Sequence, residues 1–288
     1  MTSTLLFEIG TEEIPSSFIA PALEFMKSWM EARLAQGRLE HDPIEVFGTP
    51  RRLALSVSGL ADTLPDTVET RMGPARQAAF DAQGNPTKAA LGFARSAGVD
   101  IEEVGFTQTP KGEYLCVTRT IPGRPASEFL TEALCELITQ IPFPKTMRWS
   151  NPDVRFARPV HWIAALFGNR VLDVSFGNIT AGRVTFGNRF MAPGALEISD
   201  AKDYVDLLAK HFVVPSISER KRLIWEGVSD NARSLKAQVR DRDLLDEVAN
   251  LVEYPHVIIG RFDESFLELP AEVLVTVMKH HQRYFPMY

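Results

Sequence analysis

The first sixty residues alternate between two periodicities, and that rhythm constrains the fold more than any other feature of the chain. Leu5 to Ile9 is an unbroken apolar run stopped at Gly10, the length of a buried strand. Ile19, Leu23, Met26, Met30 and Leu34 then recur at three- and four-residue spacing, which places them on one stripe of a helix. Ser16 or Ser17 is the expected N-cap and Gly37 the expected stop, and Pro21 fits only near the first turn. Leu53, Leu55 and Val57 alternate with Ala54, Ser56 and Ser58, the period of a half-buried strand. A striped helix between two short strands predicts a compact α+β unit.

The pattern weakens from Asp62 to Pro110, where Gly73-Pro74, Gly84-Asn85-Pro86 and Gly98 punctuate the chain and one short helix is expected from Thr87 to Ala97. A strand follows at Tyr114 to Ile121, then a helix with Leu130, Leu134, Leu137 and Ile141 on one face. Ile141-Pro142-Phe143-Pro144 stops that helix and marks a domain border, giving regions 1–141 and 142–288. The second region opens with Val160 to Phe167 and Val171 to Phe176 around Gly168-Asn169, read as a β-hairpin, with a further strand pair through Gly182 to Phe190. Helices are expected near Ala201 to His211 and after Ser216, where Glu219 completes a capping-box spacing. Ile224, Val228, Leu235 and Val239 share a face of that long helix, which runs on through Arg233, Lys236 and Arg240. Leu244 to Glu253 reads as helix, Val257 to Gly260 as a buried strand, and Pro270 opens a last helix to about Gln282. The expected class is α+β and multi-domain, with mixed or antiparallel sheets, packed helices and a helix-richer second half.

Length of 288 residues fits about two domains, and 45% hydrophobic content is ample for a core. No run of 18 apolar residues exists, and Met1-Thr2-Ser3-Thr4 does not open a signal peptide, so a soluble cytoplasmic protein without membrane contact is expected. Cys116 and Cys135 fall in a strand and a helix and read as reduced core thiols. Three aromatics within Tyr284-Phe285-Pro286-Met287-Tyr288 suit the interior of a longer chain better than a free terminus.

Familiar catalytic motifs are absent. The sequence has no phosphate-binding glycine loop, no nucleotide fingerprint and no nucleophile elbow. His41, His161, His211, His256, His280 and His281 show no metal-ligand spacing, and no pair of cysteines completes a zinc set. Glu8, Glu12 and Glu13 lack a nearby His or Lys in sequence, and Glu12 and Glu13 read as favouring the N-terminus of the following helix.

The basic residues are grouped. The groups are Arg51-Arg52, Lys145 with Arg148, Arg155 with Arg158, Arg189, Arg220-Lys221-Arg222, and Lys279 with Arg283, several beside aromatic residues. Guanidinium groups interleaved with rings can pair with phosphate and stack on bases, although ordinary solvated charge gives the same composition. Net charge of −6 excludes a wholly basic binder but not a local basic face.

Seven ordered blocks carry a resemblance. Leu6-Phe7-Glu8-Ile9-Gly10-Thr11-Glu12-Glu13-Ile14-Pro15, Phe47-Gly48-Thr49-Pro50-Arg51-Arg52-Leu53-Ala54, Gly84-Asn85-Pro86-Thr87-Lys88-Ala89-Ala90 and Lys145-Thr146-Met147-Arg148-Trp149 come first. Arg155-Phe156-Ala157-Arg158-Pro159-Val160, Leu251-Val252-Glu253-Tyr254-Pro255 and Met278-Lys279-His280-His281-Gln282-Arg283-Tyr284-Phe285-Pro286 follow. In these the chain resembles the N-terminal part of bacterial glycyl-tRNA synthetase β subunits. Gly187-Asn188-Arg189-Phe190 departs where a histidine is expected for Asn188, and Tyr254 stands where tryptophan is common. The resemblance implies an α2β2 enzyme whose α subunit uses ATP and magnesium to activate glycine. This chain would hold no cofactor and be inactive alone. It also implies a body-tail-like first region and a B3/4-like second, cut before the HD-like and anticodon-binding domains. The expected role is to position tRNA-Gly, without contact to DNA, through Arg51, Arg52, Lys145, Arg148, Arg155, Arg158, Arg189, Arg220, Lys221, Arg222, Lys279 and Arg283, with Arg148, Arg158 and Arg189 leading. The alternatives are an editing-like aminoacyl-tRNA hydrolase, for which glycine's small size leaves little need, and a scaffold touching only the α subunit.

Overall fold

The computed structural model describes residues 2–81, 83–149 and 151–288, those at 151–153 by backbone alone. Two compact units emerge, Thr63–Pro125 and a larger one made of Met1–Asp62 with Ala126–Tyr288. In the larger unit, β1 (Thr2–Thr11) is followed by α1 (Ser16–Gln36), β2 (Glu45–Thr49) and β3 (Arg52–Ala61). The smaller unit holds β4 (Thr67–Ala75), α2 (Arg76–Ala79), α3 (Lys88–Ala97), β5 (Gly105–Thr109) and β6 (Gly112–Ile121). Back in the larger unit come α4 (Ala126–Gln140), β7 (Met147–Trp149), β8 (Asn151–Phe156), β9 (Val160–Phe167) and β10 (Arg170–Val171). The remainder is β11 (Ser175–Phe176), β12 (Ile179–Thr180), β13 (Val184–Phe186), β14 (Ala195–Glu197), α5 (Tyr204–Lys210), α6 (Ile217–Ser234), α7 (Leu244–Val248) and α8 (Ala271–Thr276). The class is α+β as expected, but helix is not concentrated late, since α1 and α4 are two of the three longest helices.

The larger unit is organised by an antiparallel sheet of order β10-β9-β1-β3-β2. The apolar run at Leu5–Ile9 forms its central strand, and every one of those side chains is buried. Helix α1 covers one face through Ile19, Leu23, Met26, Met30 and Leu34, all buried. A Cβ on Gly48 would stand 2.7 Å from both Ile19 and Leu23, so glycine sets how closely α1 approaches β2. The other face packs Leu6, Phe47, Ala54, Ala164 and Leu166 against Tyr204, Leu208 and Val213. Strand β3 is therefore covered on both sides at its start, where Arg52, Leu53, Ala54 and Leu55 are all buried, and not half-solvated as its alternation predicts. Because β9 pairs with β1, chain from both sides of Ile141-Pro142 shares this sheet.

The smaller unit is an antiparallel sheet of order β4-β6-β5 whose core joins Ala79, Ala90 and Leu115 with Phe80, Phe93, Ile101 and Val104. Its Gly84-Asn85-Pro86-Thr87 block is a turn. Asp81 accepts from the backbone N–H of Gln83 and Asn85, and Thr87 Oγ1 donates to Ala78 O before α3 begins. The bonds that Asp81 accepts, led by the one from Asn85 N–H, hold its carboxyl below its usual pKa.

Several local expectations are revised. Pro15 and not a serine stands at the N-cap of α1, because Phe18 N–H already bonds to Pro15 O. The second arm of the hairpin after Gly168 is only β10, and Ser175–Phe176 pairs instead with β12. Ser216 Oγ caps α6 by accepting from Glu219 N–H, while the Glu219 carboxylate meets Arg222. That helix ends at Ser234 because Lys236 turns to φ 56°, so Leu235, Val239 and Arg240 lie beyond it. Helix α7 stops at Val248, since Ala249 O and the Glu253 side chain are drawn to Arg220 and Arg52. Val257 to Gly260 forms no strand; no partner strand pairs it among the described residues, and Ile258 is 83% exposed. Cys116 and Cys135 are free thiols in β6 and α4. No helix among the described residues is long and apolar enough to cross a membrane.

Candidate functional site

Strand register brings four residues into one row across the end of the sheet: Thr49 faces Arg52, Arg52 faces Gly10, and Gly10 faces Trp162. Two residues along, the next row on the same face is Phe47, Ala54, Glu8 and Ala164. The Trp162 ring crosses Gly10 so closely that a Cβ there would stand 1.9 Å from it. No side chain could take glycine's place without expelling the indole.

Around that row lies a buried charge network. Arg52 is wholly enclosed, with its Nε 3.0 Å from Glu253 Oε1, both terminal nitrogens 3.1 Å from Phe186 O, and Nη1 3.9 Å from Glu8. Thr49 Oγ1 donates to Glu253 at 2.8 Å. Thr185 Oγ1 accepts from Arg52 and donates to Glu8, and the Trp162 indole N–H donates to Glu8 as well. Burial alone would lower the Arg52 pKa, but the charges of Glu8 and Glu253 outweigh it and the guanidinium is held more firmly protonated. Burial, with the Glu8 charge beside it, keeps the Tyr204 phenol neutral far above its usual range. Arg220 is enclosed differently. It donates to the carbonyls of Gly48, Val214, Pro215 and Ala249 and pairs with no carboxylate among the described residues, and burial lowers its pKa to about 10.

Arg52 and Arg220 are thus frame residues, which corrects their place among the surface candidates. A guanidinium with no exposure cannot reach an external phosphate. Other candidates are tied to acids at the surface. Arg222 bridges Glu219 and Glu226, Lys221 meets Asp246, Lys279 meets Asp241 and Asp243, and Arg283 meets Glu247. Arg189 pairs with Glu12 at 2.9 Å, and Arg158 donates to the carbonyls of Glu13 and Ala157. The remaining four have no ion pair with a described residue. Lys145, Arg148 and Arg155 are exposed, and β7–β8 register places Arg148 directly opposite Arg155. Arg51 is half-buried over the Trp162 ring, 5.7 Å from its centroid, with burial lowering its pKa and its Nε lacking a hydrogen-bond partner among the described residues.

Arg51 also lines a pocket of about 220 Å³ with Glu13, Asn188, Arg189, Phe190 and Tyr254. Phe190 is 86% exposed at its edge. The Glu12 carboxyl is held below its usual pKa, chiefly by the hydrogen bond from the pocket's Arg189, and it also lies 3.1 Å from His161 Nε2. Glu12 is therefore the partner of a pocket-lining arginine and not a helix-dipole partner, since the first turn of α1 carries no acid. Sequence reasoning left Glu8, Thr185 and Glu253 without a role, because nothing in their local pattern distinguishes them. The one available signal was their place inside the blocks Leu6–Pro15 and Leu251–Pro255, or beside Gly187–Phe190.

Three of the ordered blocks, those containing Glu8, Arg52 and Glu253, therefore converge with the Gly187–Phe190 segment on one end of the sheet. A family profile described as glycyl-tRNA synthetase beta subunit matches residues 5–288. The glycine–tRNA ligase beta subunit of Syntrophus aciditrophicus is 48% identical over 288 residues, covering all of this chain and 42% of the relative. That of Syntrophotalea carbinolica is 46% identical over 286 residues, covering 99% of this chain and 42% of the relative. That of Myxococcus xanthus is 46% identical over 288 residues, covering all of this chain and 41% of the relative. The chain thus spans about two fifths of the length of these curated relatives. On the match across nearly its whole length, the chain belongs to the glycyl-tRNA synthetase beta subunit family.

Proposed function

We propose that this chain is the part of a glycine–tRNA ligase β subunit that holds and orients tRNA-Gly while a separate α subunit, in an α2β2 assembly, uses ATP and magnesium to form glycyl-tRNA. The setting is the cytoplasm, where translation takes place in bacteria. Family membership supports the reaction. The observation that carries the RNA role is the β7–β8 hairpin. Arg148 and Arg155 stand opposite one another in solvent with Lys145 beside them, and no ion pair with a described residue neutralises them. Like charges facing across a strand pair repel, so such a hairpin is most stable with an anion bridging it. A ribose-phosphate backbone supplies closely spaced anions of that kind, and binding it releases counterions. Contacts to phosphate orient an RNA without reading its bases, the task required of a subunit that does no chemistry.

The test is tRNA-Gly binding by the complete assembly across a salt series. Replacing Lys145, Arg148 and Arg155 together by alanine is expected to weaken binding and to reduce the slope of log affinity against log salt by about 2–3, roughly one for each phosphate no longer neutralised. An unchanged affinity and slope would show that the hairpin does not touch the RNA.

A further inference from the structure

Resting on that reading, we infer that the pocket lined by Glu13, Arg51, Asn188, Arg189, Phe190 and Tyr254 takes a single unpaired nucleotide of the RNA, with its phosphate on Arg51 and its base against Phe190. The pocket is built by different segments from the hairpin, being drawn from the chain before α1, the β2–β3 turn, the segment after β13 and the segment after α7.

Three features define the ligand. The first is an anion site. Arg51 is partly withdrawn from water and fixed over Trp162, yet it has no ion pair with a described residue, and its buried Nε has no hydrogen-bond partner among them. Of the carboxylates nearby, Glu253 is engaged by Arg52 and Thr49 and Glu12 by Arg189, while Glu13 shares the pocket without forming an ion pair among the described residues. A guanidinium in that state favours an incoming phosphate, which accepts from it in fork geometry. The second feature is a stacking surface. Phe190 projects with 86% of its surface exposed, and Asn188 Oδ1 fixes the turn that presents it by accepting from Phe190 N–H and Met191 N–H. Tyr254 is braced edge-on by Phe212 at 5.4 Å. A held, exposed ring beside a cation is the arrangement on which unpaired bases stack. The third is a base-edge acceptor. Glu13 lines the pocket with its carboxylate in no ion pair among the described residues. A carboxylate there repels a second phosphate but accepts from an exocyclic amino group, which cytosine and adenine carry and uracil lacks. The cavity of about 220 Å³ is below the roughly 300–1,000 Å³ of a site that encloses a whole drug-sized molecule, so it holds part of one nucleotide with the rest lying outside, and it excludes a duplex.

The probe is a fluorescein-labelled single-stranded tetraribonucleotide, either all cytidine or all uridine, titrated into the complete α–β assembly and followed by anisotropy. The cytidine probe is expected to bind more tightly than the uridine probe, and an RNA duplex of equal charge not to compete at the pocket. Arg51→Gln is expected to weaken the cytidine probe about tenfold, Phe190→Ala between about five- and a hundredfold, and Glu13→Gln to abolish the preference over uridine. Because Phe190 and Glu13 are exposed, their variants fold, which keeps the test valid should Arg51→Gln lose stability. Unchanged binding by both the Arg51 and Phe190 variants overturns the inference, as does cross-linking of Phe190 to the α subunit, which would make the site a protein contact. The hairpin triple variant separates the two claims. If tRNA affinity still depends on Lys145, Arg148 and Arg155 while the pocket variants do nothing, only the pocket assignment fails.

Discussion

At the end of the five-stranded sheet, Arg52 is fully enclosed and meets Glu8, Glu253, Thr185 and Phe186 O. On the β7–β8 hairpin, Arg148 and Arg155 face each other in solvent with no such partner among the described residues. The same side chain is thus an internal tie in one region and an open charge in the other. Arg51 and Arg52 show how little sequence context decides this, since consecutive residues sit on either side of the divide, one lining a pocket and one sealed beneath it. What decides is whether the fold brings carboxylates and carbonyls to the guanidinium. Where it does, the arginine fixes distant segments to one another; where it does not, the charge stays open to solvent.

The sharpest way to break this contrast is to remove the enclosed cation. Arg52→Ala leaves Glu8 and Glu253 buried without their counter-charge, and the expected loss is about 3–5 kcal/mol of unfolding free energy in urea titrations. A loss below about 1 kcal/mol would mean the network is not a tie at all. Arg220→Met is expected to cost less, about 2–3 kcal/mol, because it strands carbonyls and not carboxylates. Arg52 and Arg220 both anchor the Gly48–Thr49 corner, one through Glu253 and Thr49 and the other through Gly48 O. The double variant should therefore lose less than the sum of the two single losses.

How much of this was legible in the sequence follows from the same physics. Leu5–Ile9 and the α1 stripe were readable because burial imposes a period that a short window reveals. Strand β4 was not, because its first six residues are exposed, and only its pairing with β6 defines it. Val257–Gly260 misled for the opposite reason, being an apolar run with no strand to receive it among those described. The status of Arg52 was hidden because its partners Glu253 and Thr185 lie 201 and 133 residues away. The ordered blocks located the pocket in part, since they supply most of its lining, but nothing local showed that Arg51 would remain unpaired while Arg189 would not.

Between the two extremes stands the half-exposed pair of Glu12 and Arg189, whose contribution is smaller. The hydrogen bond from Arg189, with its charge and that of His161, places the Glu12 carboxyl below its ordinary range. A depressed carboxylate contributes stability that is present above its unfolded pKa, near 4.5, and lost as pH falls through the lower folded value. Glu12→Gln should therefore narrow the difference in melting temperature between pH 7 and pH 3.5. With Glu12 and Arg189 about two-fifths exposed, the contribution is below about 0.5 kcal/mol. A Glu12→Gln variant with an acid limb identical to that of the unaltered chain would show that the pair is formed without consequence.

The smallest expected change in stability is at the hairpin, and its sign is what matters. Arg148→Ala removes one of two facing cations, so the unliganded protein should melt unchanged or higher by an amount worth at most about 0.5 kcal/mol. The same variant should lower the salt slope of tRNA-Gly binding by about one. If Arg148→Ala instead destabilised the fold by more than about 1 kcal/mol, Arg148 would belong with Arg52 as an internal tie, and its exposure would be no guide to its role. A neutral or stabilising effect on folding together with weakened RNA binding is an outcome that a purely structural arginine cannot give, because its removal costs the fold first.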